Sequence, residues 1–179
     1  INQQTVTTLS GNIIFQKDGM LLYADTGVQS SQNNILKLYS NVKIEDKNKT
    51  IFCDSLTYNT DAEIIEMFGN IAINESDQTI TANNGKINNN DGKIILQNNA
   101  KIINLKQRIE GEIIELFFEN QKVKTLKVLQ NGTIFSNNYG YEKIDRNKAV
   151  ENEDILKGRF INIEINNDSI SEIQLIGMA

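Results

Sequence analysis

The sequence predicts an all-β protein whose sheet is assembled from repeated two-strand units and folds over into a V. Three observations carry that expectation: a self-similarity of period 29, an in-and-out alternation of apolar residues, and a composition of 28 Ile and 26 Asn with no Pro. Ile favours strands and Asn favours tight turns, while a chain without Pro keeps its N–H groups for the ladders.

The repeat is marked twice. Asn12-Ile13-Ile14-Phe15, Asn41-Val42-Lys43-Ile44, Asn70-Ile71-Ala72-Ile73 and Asn99-Ala100-Lys101-Ile102 each start 29 residues after the one before. Ala24-Asp25, Cys53-Asp54, Ala82-Asn83 and Gly111-Glu112 keep the same step. A fifth unit follows when Ile109–Gly132 is aligned without gaps on Leu156–Ala179, at a step of 47 that leaves 18 extra residues between about Ser136 and Asp154. The chain therefore reads as one domain over residues 1–179, with a polar insertion at about 136–154. A weak helical pattern around Glu142–Leu156 is the one helix candidate.

The elements follow in order. Val6–Leu9 opens the first strand, which continues after Gly11-Asn12 and turns at Lys17-Asp18-Gly19 into a strand carrying Leu22 and Ala24. Asn33-Asn34 turns the chain into Leu36, Leu38, Val42 and Ile44, all of one parity. Ile65, Met67, Ile71 and Ile73 repeat that strand, as do Ile94, Leu96, Ala100 and Ile102. Between them lie strands whose parity switches, Ile51 and Cys53 on one side of the switch and Leu56 and Tyr58 on the other, which predicts a bulge or bend. Asp46-Lys47-Asn48 and Glu75-Ser76-Asp77 mark one set of turns; Thr60-Asp61, Asn89-Asn90-Asp91-Gly92 and Asn166-Asn167-Asp168 mark the other. Ser40-Asn41, Gly69-Asn70, Asn98-Asn99 and Asn131-Gly132 sit midway along alternate strands, where they let each strand fold over an apolar interior. The final strand spans Ile170–Ile176.

Composition removes several functions. With no His and one Cys, the chain has no Ser-His or Cys-His nucleophile pair, no imidazole or thiolate zinc site and no disulfide framework. A formal charge of -5 without a basic stripe argues against nucleic acid. No apolar run approaches the roughly 18–20 residues of a membrane-spanning helix, and Ile1 opens no charged-then-apolar leader; the chain reads as a soluble, mature or trimmed form. No catalytic residue, metal or cofactor is expected.

Taken together, the units Gly11-Asn12-Ile13-Ile14-Phe15 with Ala24-Asp25, Gly69-Asn70-Ile71-Ala72-Ile73 with Ala82-Asn83, and Gly158-Arg159-Phe160 with Ile173–Gly177 resemble the OstA-like proteins of lipopolysaccharide transport. That group includes LptA, LptC and the amino-terminal domain of LptD, and the closing unit looks most like the separate OstA-like proteins of the Bacteroidetes group. The sequence departs from the pattern where Asn98-Asn99 and Asn131-Gly132 replace Gly-Asn and where Asn83 and Arg159 replace the acidic residue. The resemblance implies a β-jellyroll, or β-taco, in the periplasm. It implies a groove that shields the acyl chains of lipid A, and end-to-end association with other β-jellyroll transport components or a second copy. The groove lining it assigns is Phe15, Leu36, Leu38, Val42, Ile44, Ile65, Met67, Ile71, Ile73, Ile94, Leu96 and Ile102, for which ordinary core packing is the competing role. Partner edges fall on Val6, Thr7, Thr8 and Leu9 at one end and Ile170, Ile173 and Leu175 at the other. A β-repeat surface adhesin and a β-helix enzyme acting on polysaccharide are the alternative classes.

Overall fold

Eleven strands follow one another in a single antiparallel meander, each hydrogen-bonded to the strand before and after it in sequence. The structure, a computed structural model, describes residues 5–47, 49–75, 78–104, 107–120, 122–137, 153–166 and 169–177. The strands are β1 (Val6–Lys17), β2 (Met20–Ser30), β3 (Ile35–Asp46), β4 (Lys49–Asn59), β5 (Ile64–Glu75), β6 (Gln78–Asn88), β7 (Lys93–Ile103), β8 (Gln107–Glu119), β9 (Lys122–Asn137), β10 (Glu153–Asn166) and β11 (Ser169–Ile176). There is no helix among the described residues. An all-β sheet of two-strand units is what the repeat predicts, and β1 to β8 run 11 to 13 residues each.

Every strand pair from β1–β2 to β9–β10 breaks register midway, for instance between Tyr39/Val42 and Ser55/Cys53 and between Phe68/Ile71 and Ala82/Asn84. The breaks fall where the odd strands carry two consecutive residues of positive φ: Gly11-Asn12, Ser40-Asn41, Gly69-Asn70, Asn98-Asn99 and Gln130-Asn131. Only Gly adopts that region without steric cost, and Asn tolerates it best among the others. Each odd strand therefore bends over these two residues, and each even strand answers with its change of parity, so both halves keep their apolar side chains on the inside. The outcome is a sheet folded along a crease into two limbs. One limb runs through all eleven strands and the other stops at β10, because β11 pairs with β10 only from Phe160↔Ile176 to Asn166↔Ser169.

The last bend lies one residue before the expected Asn131-Gly132. Gln130 (φ 64) and Asn131 (φ 58) make it, and Gly132 instead occupies an inward position where an added Cβ would stand 2.8 Å from Cδ1 of Ile161. Its smallness serves packing, and the Asn-Gly pair resembled a turn for a different reason.

Turns obey the same chemistry. Asp18 (φ 51) and Gly19 (φ 84) form a two-residue hairpin with both central residues left-handed, the turn whose twist suits antiparallel strands. The four-residue turns stack: Thr60 N–H donates to the Asn34 carbonyl at 2.9 Å, Asn89 N–H to Glu63 at 3.3 Å, and Phe118 N–H to Gly92 at 2.7 Å. Within two of them a strand-ending Asn closes the turn, Asn59 Oδ1 accepting from the N–H groups of Asp61 and Ala62, and Asn88 Oδ1 from those of Asn90 and Asp91.

The expected insertion at about 136–154 falls between β9 and β10, which pair as far as Glu153 with Asn137. Residues 138–152 lie outside the described residues. Of the helix candidate, Glu153–Leu156 forms strand, held by its ladder to β9, and the rest lies outside the described residues.

Candidate functional site

Inward-facing side chains from both limbs merge into one core in which no polar or charged residue is buried among the described residues. Contacts across the fold are direct. Ile13 and Ile71, on the ten-strand limb, reach over Gly27 and Gly85 of the other: a Cβ on Gly85 would lie 3.1 Å from Cδ1 of Ile71. Those glycines leave room at the crease for side chains from the facing limb.

The crease is pinned on its outer side by the residues that mark the repeat. Asn41 Nδ2 donates to Asp25 at 2.7 Å, and Asn70 Nδ2 donates to Asp54 at 3.0 Å. The Asn of one strand's bend thus reaches the Asp at the parity switch of the preceding strand. Asp25 and Asp54 hold the bend. Cys53, beside Asp54, points inward, and burial, with the Asp54 charge behind it, pushes its thiol up to about 12. It is a packing residue in a column shared with Ala24, Ala82 and Gly111.

The limb tips meet at one end. Lys17 Nζ donates to the Thr60 carbonyl, its ammonium lies 5.6 Å from the Tyr58 ring, and Phe15 meets Tyr58 edge-on with centroids 6.3 Å apart. From β5 onward the tips are separated by two adjoining cavities. The first, about 420 Å³, has Ile73, Ile80, Ile87, Ile94 and Phe118 as its apolar walls and Asp46, Lys47, Lys49, Glu75 and Lys93 at its rim. The second, about 540 Å³, is walled by Ile102, Ile109, Leu116, Phe118, Val123, Leu126 and Ile163, with Gln78, Gln107 and Lys122 on its rim. Each is within the size range of small-molecule sites.

The residues assigned to a lining from sequence therefore divide by depth. Leu38, Val42, Ile65, Met67, Ile71 and Leu96 are fully buried and lie on no cavity wall, as does Ile44. Phe15 and Leu36 border a small recess of about 190 Å³ beside the Lys17 closure. Ile73, Ile94 and Ile102 do face the mouth. Sequence reasoning missed Phe118, Val123, Ile80 and Ile109 at the same mouth, although Ile80 and Ile109 share the repeat column of Leu22 and Ile51. Phe118 carries no repeat signal: it sits at a second register break of β8–β9, between Phe117 and Phe118.

Both assigned edges are edge strands. Among the described residues, Val6, Thr7, Thr8 and Leu9 lie on β1, which pairs only with β2, and Ile170, Ile173 and Leu175 lie on β11, which pairs only with β10. The outer faces carry cross-strand ion pairs such as Lys86–Glu66 (3.0 Å) and Lys101–Glu110 (2.9 Å). On the same side Lys43, and then Tyr23, donate to Glu45 and hold its carboxyl below the ordinary range. Among the described residues no three His, Cys, Asp or Glu side chains gather as metal ligands.

Among solved structures the chain resembles a bacterial periplasmic protein. It is similar to LptH. That protein is described as the LptA homologous periplasmic component of the lipopolysaccharide transport device from Pseudomonas aeruginosa; the likeness has 10% identity and a TM-score of 0.48, covering 86% of this chain and 94% of that one. No family model and no curated protein matches the sequence. A likeness this distant bears on neither ligand nor partner, so function is argued from the chain's own residues.

Proposed function

We propose that the chain is a non-enzymatic carrier that shields the acyl chains of lipopolysaccharide between its two limbs, in the periplasm, and joins other β-jellyroll transport components through its edge strands. One observation carries the reading: an apolar core opens between the limb tips over two adjoining cavities whose rim sets Lys47, Lys49 and Lys122 beside Asp46 and Glu75. An apolar slot under a rim that includes ammonium groups suits an amphiphile with long alkyl chains and anionic headgroups. Each methylene taken out of water contributes about 0.8 kcal/mol, with no reaction required. The deep residues are already close-packed, so the alkyl chain lies along the mouth, against Ile73, Ile94, Ile102 and Phe118, and the limbs spread to admit more of it. The OstA-like pattern of the sequence supports the same assignment. A parallel β-helix is a different architecture from this antiparallel meander, so the polysaccharide-acting enzyme has no scaffold here.

Site-specific photo-crosslinking tests the proposal. A benzophenone side chain at Ile94, Ile102 or Phe118 is expected to capture lipopolysaccharide, while one at outward Ile95 or Phe52 is not. Equal capture at inward and outward positions, or none at either, refutes it.

A further inference from the structure

The outer face of the eleven-strand limb carries a trough of about 660 Å³. Three cross-strand rows on β8, β9 and β10 build it, from residues whose parity is opposite to that of the buried Leu116, Val128, Ile161 and Ile163. Leu129 and Phe160 pair nearest the crease, Lys127 and Asn162 pair in the middle with Gln174 of β11 beyond them, and Phe117, Thr125 and Glu164 form the row nearest the tip. Each of these three strands is paired on both sides over this stretch, so the trough is not made by the end of the sheet.

The floor of the trough is rich in acceptors. Glu164 accepts from Thr125 Oγ1 at 3.0 Å and from Asn162 Nδ2 at 3.3 Å. The second bond uses the donor end of the Asn162 amide, and its Oδ1 is buried with no partner. Lys127, directly across the ladder, places its ammonium 5.0 Å from the centroid of the Phe117 ring, where that of Lys93 also lies, at 4.9 Å. A buried acceptor without a donor costs the fold free energy that an incoming hydroxyl would return. Lys127 and Gln174 flank Asn162 on its two ladders, and both are long, flexible side chains that a ligand can part.

We infer that this trough is a binding site for a neutral saccharide. The C–H face of a sugar ring lies against Leu129 and the exposed ring of Phe160. Its hydroxyls donate to Asn162 Oδ1 and to the free lone pairs of Glu164, and accept from the Lys127 ammonium. Other ligand classes fit less well. An alkyl chain would leave the Asn162 oxygen unpaired, an anion would meet the Glu164 carboxylate, and an organic cation would meet Lys127 and Lys93 already over Phe117. The inference rests on the outer face alone and holds whether or not the interior takes an acyl chain.

Titration of isotope-labelled protein with maltotriose, cellotriose and triacetylchitotriose, followed by NMR, tests it. At least one of them is expected to shift the Asn162 side-chain amide and the ring signals of Phe117 and Phe160 saturably, leaving Thr57 and Thr81 on other outward positions unmoved. Asn162→Val should weaken that binding about tenfold or more while Tm stays at or above the parent's, because the unpaired oxygen is gone. Phe160→Ala, which removes no hydrogen bond, should weaken it too and keeps the test decisive if Asn162→Val fails to fold. Deacylated lipopolysaccharide, run beside the trisaccharides, identifies the source of the sugar. Tighter binding than theirs at the same residues assigns the trough to a lipid headgroup, the reverse order assigns it to a free glycan, and both uphold the site. Three results would each overturn the inference: no saturable shift with any of these glycans; the same shifts from inorganic phosphate or hexanol, which would make it an anion or alkyl site; or unchanged affinity in both variants.

Discussion

At the scale of single residues, the crease is where small changes cost most. An added Cβ on Gly69 would stand 2.1 Å from Oδ2 of Asp54, and Gly69 has φ +73 besides. Gly69→Ala therefore meets two penalties, a backbone strain of about 1 kcal/mol and a collision with a carboxylate that also anchors Asn70. Asp54→Ala alone loses that anchor, at about 1 kcal/mol. In the Asp54→Ala background the carboxylate contacts disappear and only Cβ of residue 54, at 3.0 Å, remains close, so Gly69→Ala should cost less than in the wild type; urea denaturation of the four proteins in the cycle should show a coupling of about 1 kcal/mol or more. Cys53 gives a second expectation. Its folded thiol titrates near 12, above the usual thiol range of about 8.5, so the unfolded chain gives up its proton first. The stabilisation is complete below the unfolded pKa and is lost progressively as pH rises from there toward 12. Denaturation at pH 7 and pH 10.5 should show a larger alkaline loss in the wild type than in Cys53→Ala. A thiol reagent at pH 8 should label Cys53 only after denaturant is added.

At the scale of strands, the repeat column supplies its own stabilising substitution. Ser40 has φ 62 at the position where Gly11 and Gly69 have φ 75 and 73. Ser40→Gly removes the left-handed strain of a residue with a Cβ and returns part of the gain as unfolded-state entropy. A net stabilisation of about 0.5 kcal/mol, read as a rise of a few degrees or less in Tm, is the expected result; a lower Tm would mean the Ser40 side chain holds the bend. This position also shows why so much of the fold was legible. Strand parity, turn residues and mid-strand bends are local, and Leu36, Leu38, Val42 and Ile44 announce one buried face on both sides of Ser40-Asn41. What local pattern could not give was the step that breaks the repeat. The bend-to-bend step from Asn99 to Asn131 is three residues longer than those before it, so the fixed step does not locate the last bend, and the turn-prone pair Asn131-Gly132 stands one residue past it. The mouth was hidden for another reason. Whether two tips touch, as at Lys17 and Thr60, or part, as at Ile80 and Phe118, depends on how the whole sheet twists, and no single unit encodes that.

At the scale of the molecule, the two ends differ. Phe15, Tyr58 and Lys17 close the tips near β1, while the mouth lies open from β5 toward β11, so a bound chain has one side from which to enter. The sequence has no Trp, which makes a single introduced indole a background-free reporter of that opening. Phe118 borders both mouth cavities and is partly buried, so Phe118→Trp puts the indole where an acyl chain would arrive without disturbing the deep core. Arrival of alkyl chains removes water from the ring, and its emission should shift to the blue and saturate as lipopolysaccharide is titrated. Phe52→Trp, on the outer face of the ten-strand limb and 42% exposed in the parent, should not respond. Deacylated lipopolysaccharide keeps the anionic groups but not the chains, and should leave Phe118→Trp unshifted, because the rim sets its ammonium groups beside Asp46 and Glu75 and salt screens what attraction remains. A shift with the deacylated form would place recognition on the charged rim and not in the apolar mouth.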